Sequence, residues 1–157
     1  MSRTTPATLA LTKAGVAFSL HAYDYDPDAD SIGLAAAQAL GENPARVLKT
    51  LMILADGKPV CVILPSDREV SMKKLAAAVG AKSAAMMKPA DAERVTGYKV
   101  GGISPFGQRK RVVTVLEAGA AAEPYVFLNG GQRGLQIRMN PADILTVAGA
   151  TAADIAA

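Results

Sequence analysis

Two apolar runs, RVLKTLMILAD ending at Asp56 and KPVCVILPS starting at Lys58, meet around the dipeptide Asp56-Gly57. Asp-Gly between apolar segments supplies the two positive-φ positions of a tight turn, so the sequence predicts an antiparallel hairpin. A pair of strands this apolar has to be covered by the rest of the chain. The surrounding segments must therefore be read as cover and as further strands.

They read clearly. TPATLALTKA (5–14) predicts a short helix, with Pro6 in its first turn and Gly15 just past its end. VAFSLHAYDYD sets Phe18, Leu20 and Ala22 against Ser19, His21 and Tyr23, the period of a half-buried strand. Asp30 or Ser31 caps a helix over IGLAAAQAL, stopped by Gly41. Ser71 caps MKKLAAAV, ended by Gly80. A short strand near 84–87 and a helix from Pro89 to about Val95 lead into a glycine loop, GYKVGGISPFGQRKRV (97–112). RVVTVLEA and PYVFLNGG predict strands, GLQIRMN pairs back across a turn at 130–133, and Asn140-Pro141 starts the last helix, ADILTVA. Strands outnumber what helices could separate as parallel crossovers, and several join through tight turns. The expected fold is α/β: one domain over residues 1–157, with a mixed, largely antiparallel or barrel-like sheet and helices packed outside.

Composition narrows the function. With 17 Lys and Arg against 14 Asp and Glu, the net charge of +3 tilts the chain mildly toward anionic partners, without the dense basic stripe of a protein that grips RNA alone. Cys61 is the single cysteine, so no internal disulfide forms, and its apolar setting predicts a buried, inert thiol. No membrane span or signal segment is read, which makes the cytoplasm the expected location.

Familiar catalytic motifs fail position by position. One His and one Cys, far apart, do not make a zinc site. YDYDPDAD has carboxylates at 24, 26, 28 and 30, but no EF-hand register places Gly and Glu where calcium needs them. Ser104 is followed by Pro105, which is no nucleophile elbow. Gly102 and Gly107 have phosphate-loop spacing, but Gln108-Arg109 stands where Lys-Ser/Thr is required. No metal or cofactor is expected. What remains is Lys49 with Thr50 in an apolar strand, Tyr23 at a strand end, and two glycine turns, 101–107 and 130–134. Lys49 either snorkels outward or points a cation into a pocket. Gly101-Gly102 either satisfies a turn or exposes N–H groups to an oxyanion or ribose hydroxyls.

Together RVLKTLM, GYKVGGISPFGQRKRV and LNGGQRGLQIRMNPADI, with LHAYDYDP upstream, resemble the YbaK/EbsC family of aminoacyl-tRNA deacylases, most nearly its YbaK-type Cys-tRNA(Pro) deacylases. The resemblance spans nearly the whole chain. It implies a trans-editing hydrolase that removes a wrong small amino acid from mischarged tRNA(Pro), in partnership with prolyl-tRNA synthetase. It implies Lys49 and Tyr23 as catalytic residues. Thr50, Gly101, Gly102, Ile103, Ser104, Pro105, Asn129, Gly130 and Gly131 would bind substrate. Arg109, Lys110, Arg111 and Arg133 would meet the acceptor stem. An aminoacyl ester is already activated, so positioning and charge stabilisation suffice, with water or a cysteinyl thiol as attacking group. Asn129 stands where the family commonly has a small hydroxyl residue. That leaves open which ester is removed, seryl, threonyl and alanyl esters included. A non-catalytic module binding charged tRNA in the same cleft is the alternative from another class.

Overall fold

The structure, a computed structural model, describes residues 3–157; the first two residues of the expected 1–157 domain lie outside the described residues. From the N-terminus run α1 (Pro6–Ala14), β1 (Phe18–Ala22), α2 (Ile32–Leu40), a 3-10 turn (Pro44–Arg46), β2 (Leu48–Ala55) and β3 (Lys58–Pro65). Then follow α3 (Met72–Ala78), β4 (Ala84–Met86), α4 (Pro89–Thr96), β5 (Val113–Glu117) and α5 (Ala118–Ala121). The chain finishes with β6 (Val126–Asn129), β7 (Leu135–Met139), α6 (Pro141–Val147) and β8 (Thr151–Ala153).

The hairpin at Asp56-Gly57 forms as the sequence predicts, with φ of 48° and 80° at the two turn residues and Ala55 paired to Lys58. Both φ values are positive, the signature of a type I′ turn. The Asp56 carboxylate also accepts bonds from the Lys82 and Ser83 N–H groups, tying the turn to the segment that enters β4. The predicted caps hold as well: Ser31 caps α2, Ser71 caps α3 and Asn140 caps α6. At α1 the Thr5 and Thr8 hydroxyls add a reciprocal cap that the sequence reading does not name.

The strands form two sheets, ordered β4-β2-β3-β5-β8 and β1-β7-β6. Pairing is antiparallel except for β3–β5 and β5–β8, so the mixed, largely antiparallel expectation holds. The barrel does not. The sheets stay open and meet at an isolated parallel bridge between Val47 and Phe127. Strands of three residues, β4 and β8, form the two edges of the larger sheet and leave nothing long enough to close it.

Both faces of the larger sheet are covered, which is why β3 reads as an unbroken apolar run rather than an alternation. Cys61 and Ile63 face one core, with Leu11 of α1, Val95 of α4, Ile137 of β7 and Ile144 of α6. Val60, Val62 and Leu64 face a second core with Leu75 of α3 and Ile155. A third, small cluster of Ala36, Ala37, Val47 and Phe127 seats α2 across the junction of the sheets. Among the described residues no helix is long and apolar enough to cross a membrane.

Candidate active site

A pocket of about 300 Å³ opens at the junction of the two sheets. Leu48–Met52 of β2 form one wall, Met86, Met87, Pro89 and Ala92 a second, and the start of α2 (Ser31–Gly33) the lip. Val100, Gly101 and Ile103 of the glycine loop, Asn129 of β6 and Gln136 of β7 complete it. The lining is mostly aliphatic and thioether carbon. Lys49 is the one charged side chain on it.

Lys49 therefore does not snorkel freely into solvent. Its side chain is 19% exposed, on the pocket wall, and its Nζ lies 3.4 Å from Oε1 of Glu69, whose own side chain is 84% exposed. A pair with so exposed an anion is weak, and an incoming phosphate or oxyanion competes with Glu69 on favourable terms.

The glycine loop is braced from behind. Tyr98 donates its hydroxyl proton to the Phe106 carbonyl, the Phe106 N–H donates to the Ser104 hydroxyl, and Gln108 Nε2 donates to the Ser104 carbonyl. Ser104, Pro105 and Phe106 are buried under this net, so Ser104 and Pro105 support the wall without forming it. At Gly101, φ is +88° and a Cβ would stand 2.6 Å from the Tyr25 hydroxyl oxygen; this position admits glycine alone. Gly102 is buried, its N–H bonded to the Lys99 carbonyl, and faces away from the pocket. Gly101 and Ile103 line the pocket, and among the described residues their N–H groups have no hydrogen-bond acceptor.

The second glycine turn plays a supporting part. Gly130 and Gly131 donate their N–H groups to the Leu135 carbonyl and to Asn129 Oδ1. Asn129 Oδ1 also accepts from Gln132 N–H, while its Nδ2 donates to the Gly101 carbonyl at 3.0 Å. Asn129 thus clamps one glycine turn to the other, with its amide engaged by main chain at both ends.

Tyr23 sits just beyond β1, its N–H bonded to the Gly134 carbonyl. It lines a second hollow with Arg3, Tyr25, Gln132 and Arg133, not the pocket holding Lys49. Burial pushes its hydroxyl above the ordinary tyrosine range, opposed by the neighbouring Gln136 amide. Gln136, which the sequence reading passes over, thus stands between Tyr23 and the pocket. The sequence of β7 gives no hint of this, because LQIRM looks like simple alternation.

The four candidate cations split. Arg133 stacks its guanidinium 5.4 Å from the Tyr25 ring centre and donates to the Val100 carbonyl, at the rim of the glycine loop. Arg109, Lys110 and Arg111 are exposed; Arg109 packs on Gly97, and Arg111 on Gly149. Among the described residues no group of three His, Cys, Asp or Glu gathers to hold a metal ion.

Fold and site together define a small α/β domain that offers one cation and free main-chain N–H groups at the wall of an apolar pocket. Residues 26–147 match the model of the aminoacyl-tRNA editing domain. EbsC of Enterococcus faecalis, provisionally named a Cys-tRNA(Pro)/Cys-tRNA(Cys) deacylase, is 36% identical over 120 residues, 76% of this chain and 73% of that protein. A proline–tRNA ligase of Acidithiobacillus ferrooxidans is 36% identical over 69 residues, 44% of this chain and 12% of the ligase. A crystal structure provisionally described as a trans-editing enzyme for prolyl tRNA synthetase has the same fold, with a TM-score of 0.84, 22% identity and 99% of both chains covered. This chain belongs to the aminoacyl-tRNA editing domain family.

Proposed function

We propose that the protein is a trans-editing deacylase that hydrolyses the ester of mischarged tRNA(Pro), with Cys-tRNA(Pro) as the leading substrate. The observation that carries this reading is the apolar pocket with Lys49 as its one charged group, next to the free N–H groups of Gly101 and Ile103. An aliphatic pocket of about 300 Å³ suits a small side chain joined to part of a ribose. The name carried by EbsC supports the cysteinyl ester, and the ligase matches support prolyl-tRNA synthetase as partner.

In this reading the substrate displaces Glu69 from Lys49. The ammonium then faces the terminal phosphate or the oxygen that becomes negative as the carbonyl is attacked. The Gly101 and Ile103 N–H groups add neutral donors whose orientation is fixed before reaction by the braced loop. Attack comes from water or from the cysteinyl thiol. Tyr23 acts at one remove, by holding Gln136. Arg133 and, beyond it, Arg109, Lys110 and Arg111 meet the acceptor stem. The cytoplasm, where charged tRNA is found, is the proposed location.

The test is hydrolysis of Cys-tRNA(Pro) and Ala-tRNA(Pro) by catalytic amounts of protein. Turnover that falls by 100-fold or more (about 3 kcal/mol of lost charge stabilisation) in a Lys49→Ala variant of unchanged melting temperature supports the reading. Protection of both esters from hydrolysis would instead identify a binding module.

A further inference from the structure

The second hollow, of about 470 Å³, has no task in the reaction described so far. It is built differently from the pocket, whose lining includes no aromatic ring. The guanidinium groups of Arg3 and Arg133 and the phenol rings of Tyr23 and Tyr25 line the hollow, together with the Asp24 carboxylate. Arg133 lies 5.4 Å from the centre of the Tyr25 ring, and its Nε donates to the Val100 carbonyl at 3.0 Å, which holds the stacked pair in place. The other tyrosine that carries stacked guanidinium groups, Tyr125, is closed off by acids. Glu123 pairs with Arg46 there, and the Tyr125 hydroxyl donates to Glu42. Arg133 makes no ion pair among the described residues, so its charge is left for an anion.

An unpaired guanidinium beside an aromatic face suits a ligand that is both planar and anionic. A nucleotide is such a ligand: its base stacks on ring and guanidinium, and its phosphate meets the cations. Asp24 repels the phosphate and accepts instead from an exocyclic amino group on the edge of the base. The hollow adjoins the pocket at the glycine loop. A Cβ on Gly101 would stand 2.6 Å from the Tyr25 hydroxyl oxygen, and both Gly101 and Val100, to which Arg133 is bonded, line the pocket. A strand whose last nucleotide enters the pocket therefore brings its neighbour to the hollow.

We propose that the hollow is a nucleotide subsite. It receives the penultimate nucleotide of the unpaired 3′ end, a cytidine in every tRNA, with the base stacked on Tyr25 and Arg133. This rests on the deacylase reading of the adjoining pocket and gives the substrate a second anchor. Stacking needs little charge, in keeping with a net charge of +3.

The experiment uses Cys-tRNA(Pro) and Ala-tRNA(Pro), each with either cytidine or an abasic ribose at the penultimate position. For the ester it turns over, wild type should show a kcat/KM higher by about tenfold or more on the cytidine form, the worth of one base stacked on an aromatic ring. In Tyr25→Leu that preference should fall to within about threefold, through loss on the cytidine form alone. Tyr25→Phe keeps the ring, loses the hydroxyl that abuts Gly101, and should retain the preference. Arg133→Met, which takes the guanidinium out of the stack, carries the same test if the leucine variant does not fold. Equal treatment of the two forms by wild type overturns the proposal and leaves the deacylase intact. So does an equal loss on both forms in Tyr25→Leu, which would make Tyr25 a brace for the glycine loop. Hydrolysis of no form of either ester removes the deacylase reading itself, and this proposal with it.

Discussion

Cys61 shows what a single residue's surroundings decide. It is fully buried, and desolvation pushes its thiol up to about 12. The apolar run around it already predicts this, because a thiolate has no counter-charge there. The native protein should resist a disulfide-exchange reagent at pH 8 and react fully once denatured, as absorbance of the released thiolate will show. The folded pKa lies above the unfolded value of 9.0. The stability contribution is therefore complete below pH 9 and drains away as pH rises toward 12, where the unfolded thiol ionises and the folded one does not. The alkaline fall in melting temperature should be shallower in Cys61→Val. Lys49 is the opposite case. Alternation along β2 favours an outward-pointing lysine, and only the meeting of two sheets, which no local pattern encodes, turns its position into a pocket wall. Gln136 was illegible for the same reason.

At the scale of elements, legibility follows the strength of local chemistry. The hairpin, the capped helices and the turn between β6 and β7 are all announced by residues that act within four positions of themselves. Missed were α5, whose sequence is Ala-Gly-Ala-Ala, and β8, Thr-Ala-Ala, because neither has periodicity to show. Both exist through what they pack on: β8 pairs with β5, and Glu117 caps α5. Asp56 gives the hairpin a second role that the turn motif does not reveal, since it holds Lys82 and Ser83. Asp56→Ala should lower unfolding free energy by about 1–2 kcal/mol, read from urea titration with unchanged slope. The glycine loop is more demanding. At Gly107, φ is +64° and a Cβ would lie 2.5 Å from the Pro6 carbonyl oxygen. Gly107→Ala should therefore cost about 2 kcal/mol or more and loosen α1 from the loop, visible as faster amide exchange in both.

For the whole molecule, charge sets how it meets nucleic acid. A net charge of +3 makes for shallow electrostatics. Affinity for tRNA should fall with salt along a slope of only a few, and Arg133→Ala should reduce that slope by about one. Filter binding between 50 and 200 mM salt, a range over which extensive phosphate contact costs several decades of affinity, measures both.

The junction of the sheets has one more consequence. Its floor is made by neither sheet alone: β2 supplies one side, β6 and β7 another, and they touch through Val47 and Phe127 beneath α2. The width of the pocket is thus a relation between two bodies, like the gap between the jaws of a wrench. Ala36 and Ala37, which are not on the lining, sit at the adjusting screw. A methyl group gained or lost there should reset the width of the pocket, and with it what fits, without altering a single residue of the lining.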